Sequence, residues 1–98
     1  MYIKEIELKN FRNYDNLELD FNSKVNFILG QNAQGKTNLL ESIYITSIGK
    51  SFRTNRDAEM IGFNKEFARV QAEFYKDGYE TSVEIIIDRS GKKFEIGR

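Results

Sequence analysis

Two glycines, a lysine and a threonine stand at fixed offsets in Gly30-Gln31-Asn32-Ala33-Gln34-Gly35-Lys36-Thr37, the pattern GxxxxGK(S/T). These types at this spacing suit the holding of a chain of phosphates. A strand hands over to a helix through a loop whose backbone N–H groups point inward, where the helix dipole favours negative charge. Gly30 and Gly35 permit backbone conformations and a close approach that a Cβ would block. Lys36 reaches the β- and γ-phosphates as a point charge, and the Thr37 hydroxyl coordinates Mg²⁺. The run Gly30 to Asn38, with Asn38 following the threonine, is the candidate nucleotide-binding set. The bland alternative is a glycine-bearing strand-to-helix turn with an incidental lysine.

The flanking segments favour the first account. Val25-Asn26-Phe27-Ile28-Leu29 is almost continuously apolar, as expected for a strand buried on both faces of a parallel or mixed sheet. From Lys36 the period changes to that of a helix, with Leu39, Leu40, Ile43 and Tyr44 expected on one face and a glycine cap near Ile48-Gly49. Upstream, Tyr2, Lys4, Ile6 and Leu8 alternate with Ile3, Glu5 and Glu7, and Leu17, Leu19 and Phe21 alternate with Glu18 and Asp20, predicting two strands joined by a connection over 10–16. Downstream, Lys50 to Arg56 is expected as a loop and Asp57 to Ile61 as a short helix closed by Gly62. Ala68, Val70, Ala72 and Phe74, then a type I′ turn at Asp77-Gly78, then Val83, Ile85 and Ile87, predict an antiparallel hairpin. A turn at Ser90-Gly91 leads to a further strand from Lys92 to Ile96.

Composition closes off several function classes. The chain has 98 residues, no cysteine and no histidine, so thiolate metal sites, disulfides, cysteine nucleophiles and histidine bases are excluded. Fifteen basic residues balance fifteen acidic ones, which argues against a strongly basic nucleic-acid module but not against a local patch. No run approaches the ~20 apolar residues of a membrane span, and the first residues lack the apolar core of a signal peptide, so no membrane partner and a cytoplasmic location are expected.

Outside the phosphate loop, three features carry charge that chemistry can use. Arg12, in Phe11-Arg12-Asn13-Tyr14, reads from composition as a solvated loop arginine. KSFRTNR holds Lys50, Arg53 and Arg56 without an acid; it is either a solvated loop or a phosphate- or DNA-facing one beyond the end of the helix. Glu41 is expected to be a surface carboxylate.

LKNFRNY, then an alternating strand, then VNFILGQNAQGKTNLLESIY, resembles the start of the ATPase heads of the RecF and SMC class. The run from Asn32 to Glu41, and GKSFRT followed by Asp57 to Ile61, resemble the RecF family in particular. Phe52 stands where that family commonly carries histidine. The resemblance implies an α/β fold: the N-terminal lobe of an ABC-type P-loop ATPase head, a mixed β-sheet with one main phosphate-loop helix and a following antiparallel β-hairpin. It implies ATP and Mg²⁺ as cofactors, Arg12 approaching the phosphates, and Arg53 matching an arginine loop near the nucleotide. It implies DNA at single-strand gaps, a homodimer closed through ATP, and other recombination-mediator proteins as partners. The second acidic motif and the signature motif of such heads lie far downstream. Residues 1–98 are therefore expected to form the first part of one head domain within a longer, slow DNA-dependent ATPase, and to be inactive alone.

Two other accounts compete on the residues. A P-loop kinase or small GTPase normally opens with its loop strand and continues with parallel strands and helices, whereas here two strands precede the loop and an antiparallel hairpin follows. A structural β-rich domain with a degenerate loop sits poorly with an intact Lys36 and Thr37.

Overall fold

The computed structural model describes residues 2–21 and 33–97. Strands β1 (Tyr2–Phe11) and β2 (Tyr14–Asp20) precede helix α1 (Ala33–Ile48). A 3-10 turn (Asp57–Met60) and strands β3 (Phe67–Lys76), β4 (Tyr79–Asp88) and β5 (Gly91–Gly97) follow. The strands form one sheet in the order β2-β1-β3-β4-β5, and every neighbouring pair is antiparallel. One main helix and the β3–β4 hairpin give the α/β architecture expected. The expected strand Val25 to Leu29, its place in a mixed sheet, and Gly30 to Asn32 lie outside the described residues.

Alternation builds the inner face. Ile6 and Leu8 of β1 pair with Ala72 and Val70 of β3, which pair in turn with Val83 and Ile85 of β4. All six are buried, with Ala68 and Ile87 extending the rows. At the start of β1 the alternation breaks: a register shift between Ile3 and Glu5 turns Ile3, not Lys4, toward the core. An extra residue on one strand of a pair flips the following side chains, which simple period-2 counting misses.

Connections are tighter than the turn residues suggested. The stretch from Asn10 to Asn16 is mostly strand, because Phe11 pairs with Tyr14 and leaves only Arg12 and Asn13 as the turn. Asp77 and Gly78 both take positive φ, as a type I′ hairpin requires. The last turn is Arg89-Ser90 rather than Ser90-Gly91, with Asp88 pairing with Gly91 and the Asp88 carboxylate accepting from the Ser90 N–H and hydroxyl at 2.8 and 2.6 Å. Gly49 caps α1 as expected, with φ 96° and its N–H donated to the Ile45 carbonyl at 2.8 Å.

The face that α1 buries is not the one its apolar residues mark. Leu40 and Tyr44, assigned to the buried side, are exposed with Ile48 in one stripe at spacing of four, while Asn38, Leu39, Glu41, Ser42, Ile45 and Thr46 are buried against the sheet. Four of those six are polar. Hydrophobic period cannot choose a face when polar side chains have partners waiting inside.

The outer face of the sheet is polar and acidic at one end, where Asp20, Glu5 and Glu73 lie in one row and Glu18 and Glu7 in the next. A hydrogen bond that the protonated Glu5 carboxyl donates to Glu73, then the Glu73 charge, then some loss of solvent raise the Glu5 carboxyl above its ordinary value of 4.5. A raised carboxyl binds its proton more tightly in the fold than in the unfolded chain. Its contribution to stability is present at low pH and is lost as pH rises through the folded value. The urea midpoint is therefore expected to rise as pH falls from neutral toward the ordinary carboxylate range, and to rise less in Glu5→Gln; equal slopes in both proteins would contradict this.

Candidate functional site

The turn that carries Arg12 is fixed by backbone before any side chain acts. Asn10 and Arg12 hold positive φ of 54° and 53°, a region costly for residues with a Cβ. The segment after the 3-10 turn clasps them there. The Arg12 N–H donates to the Met60 carbonyl at 2.9 Å, the Gly62 N–H donates to the Asn10 carbonyl at 2.6 Å, and Phe11 bridges to Ile61. Phe11 and Met60 are fully buried beneath this clasp. Space is tight at Gly62: a Cβ there would stand 3.1 Å from the carbonyl oxygens of both Asn10 and Arg12.

So held, Arg12 meets α1. Its Nε and Nη2 donate to the two carboxylate oxygens of Glu41, both at 2.8 Å, a fork-on-fork pair. Glu41, expected on the surface, has a side chain with no exposure at all. The Ser51 hydroxyl donates to its Oε2 at 2.5 Å, and Arg53 Nη1 donates to its Oε1 at 3.2 Å. The same Arg53 nitrogen donates to Asn38 Oδ1 at 2.5 Å, and Asn38 Nδ2 donates to Asn13 Oδ1 at 2.7 Å. Two separate stretches of chain, the β1–β2 turn and the loop after α1, thus converge on one carboxylate of the helix. Burial pushes the Glu41 carboxyl up, but hydrogen bonds from Arg12 and Ser51 and the charges of Arg12 and Arg53 outweigh it and hold the carboxyl below its ordinary value. The stability it contributes is therefore present at neutral pH and is lost as pH falls through its depressed value.

The structure brings some expected site residues together and separates others. Helix α1 already runs from Ala33, so Gly35, Lys36 and Thr37 lie in its opening turns rather than ahead of it. Lys36 is exposed, Thr37 half-buried and Asn38 buried. Of Ala33 and Gln34 only the backbone is described. Arg12 and Arg53 share Glu41, which lies four residues past Thr37, about 6 Å of helix rise. The basic loop does not stand beyond the helix end as expected; it doubles back so that Ser51 and Arg53 reach residues 38–41. Nor is its charge uncompensated: Arg53 pairs with Glu41, and Arg56 approaches Glu59 at 3.9 Å. Lys50 and Arg56 remain exposed. Glu41 was missed because a lone carboxylate on a helix is usually solvated. The available signal was polar residues at helical spacing, since Asn38, Glu41 and Ser42 fall at i, i+3 and i+4, in line with the apolar Ile45 at i+7.

Gly62→Ala is expected to destabilise the protein by about 1–3 kcal/mol, an overpacking cost, because the crowded Asn10 carbonyl is itself held by the clasp and the Arg12 carbonyl belongs to a residue whose N–H is. Denaturation measured against wild type checks it, and an unchanged midpoint would show that the turn yields freely.

Comparison with known proteins places this chain in a family. A family model described as an AAA domain matches residues 5–98. The chain is 53% identical over 93 residues to the DNA replication and repair protein RecF of Clostridium acetobutylicum, covering 95% of this chain and 26% of that protein. It is 47% identical over 98 residues to the protein of the same description from Bacillus cereus (strain G9842), again 26% of the relative. The recombination mediator protein RecF in the RecFOR pathway, solved as RecF-ATP, aligns with TM-score 0.85 at 40% identity over 98% of this chain and 26% of that one. Its RecF-ATPrS counterpart aligns with the same TM-score and identity over 97% of this chain. The chain thus spans about a quarter of the length of the relatives it matches. It belongs to the AAA domain family, and the relatives it matches there are RecF proteins.

Proposed function

We propose that this chain is the ATP-binding lobe of a RecF-like recombinational repair ATPase, in which ATP controls head dimerisation and binding to gapped DNA. The observation that carries the proposal is a cationic corner on α1. Lys36 opens to solvent in the first turns, and two guanidiniums share a single buried carboxylate nearby, in a fold that aligns with TM-score 0.85 to RecF-ATP. One negative charge against two positive ones leaves a surplus suited to an anion, which fits a polyphosphate.

Each residue then has a part. Gly30 to Gly35 would present backbone N–H groups to the phosphates, Lys36 would pair with the β/γ end, and Arg12 and Arg53 would approach from the side. Among the described residues no group of three or more His, Cys, Asp or Glu could hold a metal by itself. That suits Mg²⁺, which keeps most of its waters and takes one or two protein ligands plus phosphate oxygens; Thr37 would be the protein ligand. When bound there, Mg²⁺ supplies charge neutralisation across the β- and γ-phosphates.

The chain would be the first part of one head domain, in keeping with relatives about four times its length. The exposed stripe of Leu40, Tyr44 and Ile48, with Phe52 edge-on against Tyr44, would be a surface on which a further lobe packs. Exposed Lys50 and Arg56 are the candidates for DNA phosphates, with a homodimer and other recombination mediators as the remaining partners. No helix among the described residues is long and apolar enough to cross a membrane, which fits the cytoplasmic setting of such a repair enzyme.

In the complete ATPase, Lys36→Ala is expected to abolish tight ATP binding, losing a charge-assisted contact of about 1.5–3 kcal/mol. Lys36→Arg is expected to fail as well, because a planar fork does not replace a point charge. Calorimetric affinity within twofold of wild type for Lys36→Ala would refute the proposal.

The 98-residue chain by itself is expected to release no phosphate from ATP above a Lys36→Ala control. Hydrolysis also needs a group to orient water and stabilisers for the transition-state charge. Glu41, the carboxylate that α1 carries after its opening turns, is fully enclosed by donors. Robust turnover, lost in the control, would show the chain to be a complete enzyme.

A further inference from the structure

Neutralising Glu41 requires one cation, and Arg12 alone does that with two hydrogen bonds of 2.8 Å. The Ser51 hydroxyl fills a further lone pair of the enclosed carboxylate, and a second guanidinium takes the local charge past neutrality. Both arginines arrive from distant segments, 29 and 12 residues away in sequence. Arg12 does so from a backbone conformation that costs energy and is maintained by the Gly62 clasp. The carboxylate itself is wholly enclosed while its two partners keep 17% and 26% of their side chains exposed. An anion arriving at the corner therefore meets guanidiniums, and the negative charge stands behind them. Each guanidinium also carries five N–H donors in a rigid fork; among the described residues, Glu41 and Asn38 take up Nε and Nη2 of Arg12 and Nη1 of Arg53. Asn38, bridging Arg53 to Asn13, ties the second fork to the turn that carries the first.

We propose that Glu41 is a positioning residue that sets Arg12 and Arg53 side by side as one receptor for the phosphates taken at the opening turns of α1. The inference rests on the ATP-binding function proposed above and adds to it a residue that touches no ligand. Glu41 acts through the two arginines, so each arginine's contribution depends on the other's being seated.

The test uses the complete ATPase and ATP affinity by calorimetry, with melting temperature recorded for every variant. Charge alone predicts that Glu41→Gln, which removes a negative charge from the corner, binds ATP more tightly. Positioning predicts the opposite sign: about tenfold weaker binding, the equivalent of one misplaced charge-assisted contact, with substantial recovery in Glu41→Asp. Affinity equal to or tighter than wild type in a folded Glu41→Gln protein would overturn the proposal. Should Glu41→Gln fail to fold, the cycle of Arg12→Lys, Arg53→Lys and the double variant decides without touching Glu41. A combined loss at least about threefold smaller than the product of the single losses is expected for side chains sharing one anchor; losses that multiply overturn it. Lys36→Ala serves as the control for the underlying function. Retained ATP binding in that variant removes the nucleotide site and this inference with it, whereas lost binding there beside an unaffected Glu41→Gln removes the inference alone.

Discussion

The Glu41 carboxylate is the constraint around which this chain is arranged. A buried charge is tolerated only when paired and hydrogen-bonded, and here its partners come from the β1–β2 turn and from the loop after α1. Satisfying it decides which face of α1 turns inward, makes the 49–56 loop double back, and brings two arginines within reach of one acid. Among the described residues no buried side-chain polar atom is left without a partner. Partly satisfied networks of this kind destabilise, whereas complete ones specify a single arrangement.

That network stands on an apolar and backbone platform. Ile6, Leu8, Val70 and Ile85 form the continuous floor, and Ala68 and Ala72 on the central strand keep it low beneath the helix. At its edge, the Met60 and Asn10 carbonyls lock the strained Arg12 turn. The Lys92–Asp57 ion pair at 2.7 Å ties the 3-10 turn to β5. The side-chain geometry at the corner is therefore set by elements far from it in sequence.

A net charge of zero conceals segregation. Carboxylates gather at one end of the solvent face of the sheet, where Glu5 and Glu73 crowd each other, with Lys9 and Arg69 at its other end, while Lys36, Arg12, Arg53, Lys50 and Arg56 belong to α1 and its neighbouring turns. Charge totals describe solubility and long-range steering; the local sign at a site depends on which strand face or helix end each residue occupies.

The sequence by itself determined the phosphate-loop pattern, the helix and its glycine cap, and the β3–β4 hairpin with its Asp77-Gly78 turn. Each of these is written in short-range rules: spacing along one loop, period along one element, and the left-handed φ that a two-residue turn demands. The tertiary structure decided what those rules cannot reach. It turned Leu40 and Tyr44 outward, buried Glu41 against two arginines, shifted Ile3 inward through a bulge, and shortened the Asn10 to Asn16 connection to Arg12 and Asn13. Apart from that connection, where Phe11 pairs with nearby Tyr14, the outcome hangs on a partner many residues away. Whether a carboxylate is solvated or enclosed is a contest between desolvation and donors, and the donors are supplied only once the chain has folded back on itself.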